Sequence, residues 1–134
     1  MQIITLVVLS LMLQTTSPRS NVEFTKDSLE NVKKNVESGK AVLVDVRSQE
    51  EWNRGFIEGS VFLPVTSLGK TPDRRTLAKA LPERKVLYTF CVVGMRAKTA
   101  GYKLEQAGYQ VRVLKPGYEQ LLEAGFKKGT PPKP

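Results

Sequence analysis

Short apolar runs alternating with helix-patterned segments predict a doubly wound α/β fold, a parallel sheet with helices on both faces. Two observations carry the prediction. Ala41-Val-Leu-Val-Asp-Val46 is apolar but for one acid, the pattern of a strand covered on both sides. The runs at 86–90 and 111–114 are similarly short, and a helix-patterned stretch closed by Gly108 separates them. At 134 residues the chain suffices for one domain with a core, and 40% hydrophobic with 25% charged residues rules out wholesale disorder.

The elements follow in order. Asp27-Ser-Leu-Glu30 reads as a capping box with Asp27 as N-cap, opening a helix over 28–38 that Gly39 stops. After the strand at 41–46 comes a short helix over Gln49 to Arg54, then a strand over 60–65 curtailed by Pro64. Asp73 to Leu81 forms a helix closed by Pro82. The strand Val86 to Phe90 ends at Cys91, Arg96 to Ala107 is helical, Val111 to Leu114 is a strand, and Tyr118 to Ala124 is the last helix. Trp52, Tyr88 and Phe90 are expected in packing rather than in ligand contact.

Three regions result: a leader over 1–20, a domain over 21–126 and an unstructured tail over 127–134, rich in Lys and Pro. Ile3 to Leu13 is uncharged and apolar except for Thr5 and Ser10, too short for the ~20 residues that span a bilayer and suited to the core of a secretory signal. It reads as a signal peptide or a short anchor allowing transient membrane association, with export to a periplasm or outside the cell. No Lys or Arg precedes it and no A-x-A site follows, so a loosely helical extension on a cytoplasmic protein is the alternative.

Composition narrows the chemistry. The chain has no histidine, which excludes Ser-His and Cys-His pairs and imidazole zinc sites. It has one cysteine, so no internal disulfide, CxxC pair or cysteine-built metal cluster can form, and neither metal nor cofactor is expected. The net charge of +8 is scattered over short clusters, without the basic stripe interleaved with aromatics that nucleic-acid binding calls for.

Cys91 stands where open α/β sheets place ligands, at the carboxyl end of a strand. The segment Cys91-Val92-Val93-Gly94-Met95-Arg96 has the form C-x-x-G-x-R and opens a helix. A loop of that length turns backbone N–H groups toward the sulfur, and those donors with the positive helix end favour the thiolate. Gly94 permits the tight curvature, and Arg96 supplies a permanent charge that can bind an anion or hold the loop closed. Asp45 and Arg47 end the first strand as a supporting rim, with Arg47 expected to pair with Glu50 or Glu51.

Leu43-Val-Asp-Val-Arg47, Glu50-Glu-Trp52, Gly55-Phe-Ile-Glu-Gly-Ser60, Pro64, the Cys91 to Arg96 loop, and Ala107-Gly-Tyr109 before 111–114 together resemble a single-domain rhodanese over 41–122. The resemblance implies a parallel five-stranded sheet flanked by helices. It also implies a catalytic Cys91 that carries sulfane sulfur as a persulfide from a small sulfur-containing anion such as thiosulfate, or an organic persulfide, to cyanide, a thiol or a protein cysteine. The chain differs from the family at Phe56, where His is frequent, and at Lys115-Pro116-Gly117, where a Gly-Gly pair is usual. Val92, Val93 and Met95 make the loop apolar, which suits organic thiols or a partner protein better than a small dianion. Two other readings stand beside sulfur transfer. One is a non-catalytic binding or regulatory module; the other is a cysteine-loop phosphatase or arsenate reductase, whose loops have five residues between Cys and Arg where this chain has four.

Overall fold

A computed structural model describes residues 22–133. The leader reading at 1–20 falls outside them, and among the described residues no helix is long and apolar enough to cross a membrane.

The chain runs α1 (Leu29–Glu37), β1 (Ala41–Asp45), α2 (Gln49–Arg54), β2 (Val61–Phe62), a 3-10 turn (Val65–Leu68), α3 (Arg74–Leu77), β3 (Val86–Phe90), α4 (Met95–Gln106), β4 (Val111–Val113) and α5 (Tyr118–Glu123). The four strands form one parallel sheet in the order β2-β1-β3-β4. Period-two alternation sends Leu43, Tyr88 and Phe90 to a core shared with Val32 of α1 and Leu121 of α5. It sends Val44, Leu87 and Val113 to a second core with Leu77 of α3 and Ala97, Ala100 and Leu104 of α4. Helices therefore cover both faces, as the apolar strand runs required.

Among the described residues the fifth strand implied by the family resemblance is reduced to one bridge. Phe24 pairs in parallel with Val113, and the Thr25 N–H donates to the Val113 carbonyl at 2.8 Å. Two residues later the Asp27 N–H donates to the Thr25 hydroxyl at 3.3 Å, which turns the chain off the sheet edge toward α1.

Asp27 is not the cap of α1. Ser28 is, accepting from the Asn31 N–H, while the Asp27 carboxylate accepts from the Tyr88 hydroxyl at 2.7 Å and from Arg112 at 2.8 Å. Those two donors hold the Asp27 carboxyl below its ordinary range. A partner 61 residues away outcompeted the local cap. β2 is shorter than expected because Pro64 leads directly into the 3-10 turn, and α3 keeps only the first turn after its Asp73 cap. The tail also departs from expectation in its first residues. The Glu58 N–H donates to the Lys127 carbonyl at 2.9 Å, the Gly129 N–H donates to the Phe56 carbonyl at 2.8 Å, and Ile57 bridges Lys128 antiparallel. Phe56 in turn stacks on Trp52, ring centroids 4.4 Å apart.

Candidate active site

β3 ends at Phe90, and the chain turns at once into the loop that opens α4. Cys91 begins that loop at 1% exposure, so the sulfur is held within the fold rather than displayed on it. The Gly94 N–H donates to Cys91 Sγ at 3.2 Å. Gly94 has φ +97°, a left-handed conformation that costs little without a Cβ, and a Cβ there would also meet the Phe24 ring at 2.6 Å. The glycine thus lets an N–H face the sulfur, as its place in the sequence suggested. Met95 rather than Arg96 is the first residue of α4.

The loop is supported from behind by α5. The Tyr118 N–H donates to the Cys91 carbonyl at 3.0 Å, and Gly117 lies so close that a Cβ would sit 2.6 Å from the same oxygen. This backing lies outside the C-x-x-G-x-R segment. The signal was Gly117 itself, the remaining member of the usual Gly-Gly pair. In front, Val92, Val93 and Met95 are 45%, 69% and 65% exposed, so the apolar lip faces solvent.

Arg96 does not point a free guanidinium at the loop. It makes a two-point contact with Glu51 of α2, Nη1 to Oε1 at 2.5 Å and Nη2 to Oε2 at 3.1 Å. Glu51 is aimed by its own helix start: Ser48 N–H and hydroxyl donate to the same Oε1, closing a capping box. The Arg96 hydrogen bonds, opposed by partial burial, hold the Glu51 carboxyl down at about 2. Arg96 is held above its ordinary value chiefly by Glu51, with smaller attractions to Cys91 and Asp45. The spacing Ser48-x-x-Glu51 is itself a capping-box pattern, a local signal that this carboxylate is oriented.

Arg47 takes neither Glu50 nor Glu51. Its guanidinium makes Nε and Nη2 bonds of 2.8–3.1 Å to Asp45, donates to the Gly55 carbonyl at 2.8 Å, and lies over the Tyr118 ring, 4.1 Å from the centroid. Both charged side chains are buried. The physical reason is competition: Arg96 holds Glu51, Arg54 pairs with Glu50 at 3.3 Å, and Asp45 at the end of β1 is buried with Arg47 two residues on. Asp45 and Arg47 therefore pair with each other at the end of β1, two residues apart.

Beside the loop opens a cleft of about 400 Å³, bounded by Val92 and Val93 on one side and by Arg47, Gly55, Tyr118 and Lys128 on others. Among the described residues no cluster of three His, Cys, Asp or Glu side chains converges to hold a metal.

The fold agrees with comparisons with known proteins. The model of the Rhodanese-like domain family matches residues 28–124, and the chain belongs to that family. No curated protein matches significantly. Among solved structures, the human single-domain sulfurtransferase TSTD1 is 31% identical, with 72% of this chain aligned to 94% of that one at a TM-score of 0.59. A rhodanese-related protein from Thermoplasma volcanium is 24% identical over 75% of this chain and 93% of its own, TM-score 0.60, a likeness of fold. The Bacillus anthracis protein CoADR-RHD is 28% identical over 75% of this chain but only 17% of its own length, TM-score 0.60.

Proposed function

We propose that this protein is a sulfurtransferase that carries sulfane sulfur as a persulfide on Cys91. The observation that carries the reading is the position of the only cysteine: its Sγ lies at the carboxyl end of a central strand, with the Gly94 N–H directed at it. In the first half-reaction the Cys91 thiolate attacks the outer sulfur of the donor. The donor S–S bond breaks, a Cys91 S–S bond forms, and the electron pair leaves with sulfite or with an organic thiolate. In the second, an acceptor thiolate attacks the terminal sulfur, and its electron pair returns to Cys91 as the S–S bond breaks. No external oxidant or reductant enters, and no second cysteine of this chain can resolve the persulfide, so turnover depends on an acceptor from outside.

The loop argues for sulfur over an oxyanion. Four residues separate Cys91 from Arg96, and the Arg96 guanidinium is engaged by Glu51, whereas a phosphate-binding loop needs its arginine on the tetrahedral anion. The exposed Val92, Val93 and Met95 add contact area without charge, which favours organic thiols and persulfides, or a cysteine on a partner protein, over thiosulfate. The test is turnover of Cys91→Ser, whose hydroxyl cannot accept sulfane sulfur. Transfer from any donor should vanish, and residual activity above ~10% of wild type in thiol-free protein would place the nucleophile elsewhere.

A further inference from the structure

The cleft beside the cysteine loop is charged unevenly. Of its lining side chains, Arg47 is neutralised by Asp45, Glu51 by Arg96, and Arg54 faces Glu50, which leaves Glu119 at the start of α5 and Lys128 as the charges without an ion-pair partner among the described residues. Lys128 has no carboxylate within ion-pair distance among the described residues. Its backbone is fixed by the flanking bonds, Glu58 N–H donating to the Lys127 carbonyl and Gly129 N–H to the Phe56 carbonyl. The residues after the last helix thus form a strap that holds this lysine at the cleft.

A second donor stands beside it. Tyr118 is 9% exposed, and its hydroxyl is buried without a hydrogen-bond partner among the described residues. Burial raises the phenol above its ordinary value, so it remains a protonated donor. The two groups converge over Gly55. A Cβ on that residue would lie 2.5 Å from the Tyr118 oxygen, 2.9 Å from Lys128 Cε and 3.4 Å from its Nζ. The φ of 163° at Gly55 is ordinary extended backbone, so space, not conformation, is what the missing Cβ provides.

We infer that Lys128 and the Tyr118 hydroxyl are the specificity-determining pair of the cleft, receiving the carboxylate end of a small organic thiol or persulfide whose sulfur reaches Cys91 past Val92 and Val93. This rests on the sulfur-transfer reading and adds the substrate class. The volume of about 400 Å³ fits such a molecule. Its apolar portion lies along the valine lip, and its anionic end takes the cation and the buried hydroxyl. Glu119, exposed at the start of α5, also lines the cleft and opposes an anion, which makes it an internal control.

The test needs no sulfur transfer. Cys91 is the only cysteine, so thiol–disulfide exchange on the intact chain reads this sulfur alone. The rate with dithiobis(nitrobenzoate), which carries a carboxylate on each ring, is divided by the rate with uncharged dithiodipyridine. In each reaction the thiolate forms a mixed disulfide and one aryl thiolate departs. Lys128→Met should lower the ratio by about threefold or more, the scale of a solvent-exposed ion pair. Lys128→Arg should retain the ratio, Glu119→Gln should raise it, Tyr118→Phe should lower it, and added salt should shrink the Lys128→Met effect. A ratio that Lys128→Met leaves unaltered, or a Cys91 that reacts with neither reagent, overturns the inference. Failure of sulfur transfer itself would appear separately, as absence of persulfide on wild-type protein.

Discussion

Two arginine–carboxylate pairs flank Cys91 and differ in every physical respect that matters. Arg47–Asp45 joins residues two apart, with side chains 5% and 0% exposed. Arg96–Glu51 joins residues 45 apart, 38% and 23% exposed. The first pair sits at the end of β1 and adds the Gly55 carbonyl and the Tyr118 ring to its contacts, so it ties β1, the end of α2 and α5 together. The second ties the first turn of α4, which carries the loop, to α2. In a low-dielectric interior a lone charge is costly, so the buried pair is required for the shape of the site. The partly exposed pair is screened by water and acts instead on where the loop sits.

Breaking the buried pair should have the largest effect on stability. Asp45→Asn leaves Arg47 charged and uncompensated, and is expected to lower the unfolding free energy by about 3–5 kcal/mol in denaturant titration. Replacing both, as Asp45→Leu with Arg47→Met, should recover most of that loss; a double variant as unstable as the single would mean that the pair contributes more than mutual neutralisation. Arg96→Met should cost about 1 kcal/mol or less in stability, yet lower kcat/KM for sulfur transfer by roughly tenfold, because the loop loses its tether and a nearby positive charge. Arg96→Lys should fall between, with charge but without the planar fork that meets both Glu51 oxygens. Equal stability losses for Asp45→Asn and Arg96→Met would erase the contrast between the pairs.

Acid provides a smaller effect and a sharper one. The folded state holds the Glu51 carboxyl at about 2, below its ordinary 4.5, mainly through Arg96. A depressed carboxyl stabilises the fold fully above the unfolded value and ceases to do so as pH falls through the folded one. The stability difference between wild type and Glu51→Gln should therefore be level above pH ~5 and shrink steadily toward pH ~2, measured by denaturant titration at each pH. The smallest effect expected is the donor preference: with a common acceptor, the second-order rate constant for an organic persulfide should exceed that for thiosulfate. An advantage for thiosulfate of more than about tenfold, ~1.4 kcal/mol, would show that the apolar lip does not govern donor choice.

The contrast between the pairs also explains what the sequence disclosed. Local patterns were legible: the apolar run of β1, the strand before Cys91, the Gly94 turn and the start of α4 all follow from neighbours within a few residues. Partner choice was not. Asp27 has the residue type and spacing of an N-cap, but Tyr88 and Arg112 reach it from distant strands, and Ser28 takes over the cap. Glu51 was placed opposite Arg47 because both lie in one short segment, while its actual partner lies on α4. The strap at 127–129 has no hydrophobic period; it is held by backbone bonds to Phe56 and Glu58, which any sequence without proline there could make. Lys128 and Tyr118 therefore carry no local signal in the sequence.

Under the proposed function Cys91 itself carries the travelling sulfur. Intact-mass and peptide analysis after exposure to thiosulfate or an organic persulfide tests it without any acceptor. Wild-type protein should gain the mass of one sulfur atom, about 32 Da, located on Cys91 and removed by added thiol, and Cys91→Ser should gain nothing. An unmodified wild-type Cys91 under both donors, or the same gain in Cys91→Ser, would contradict the account.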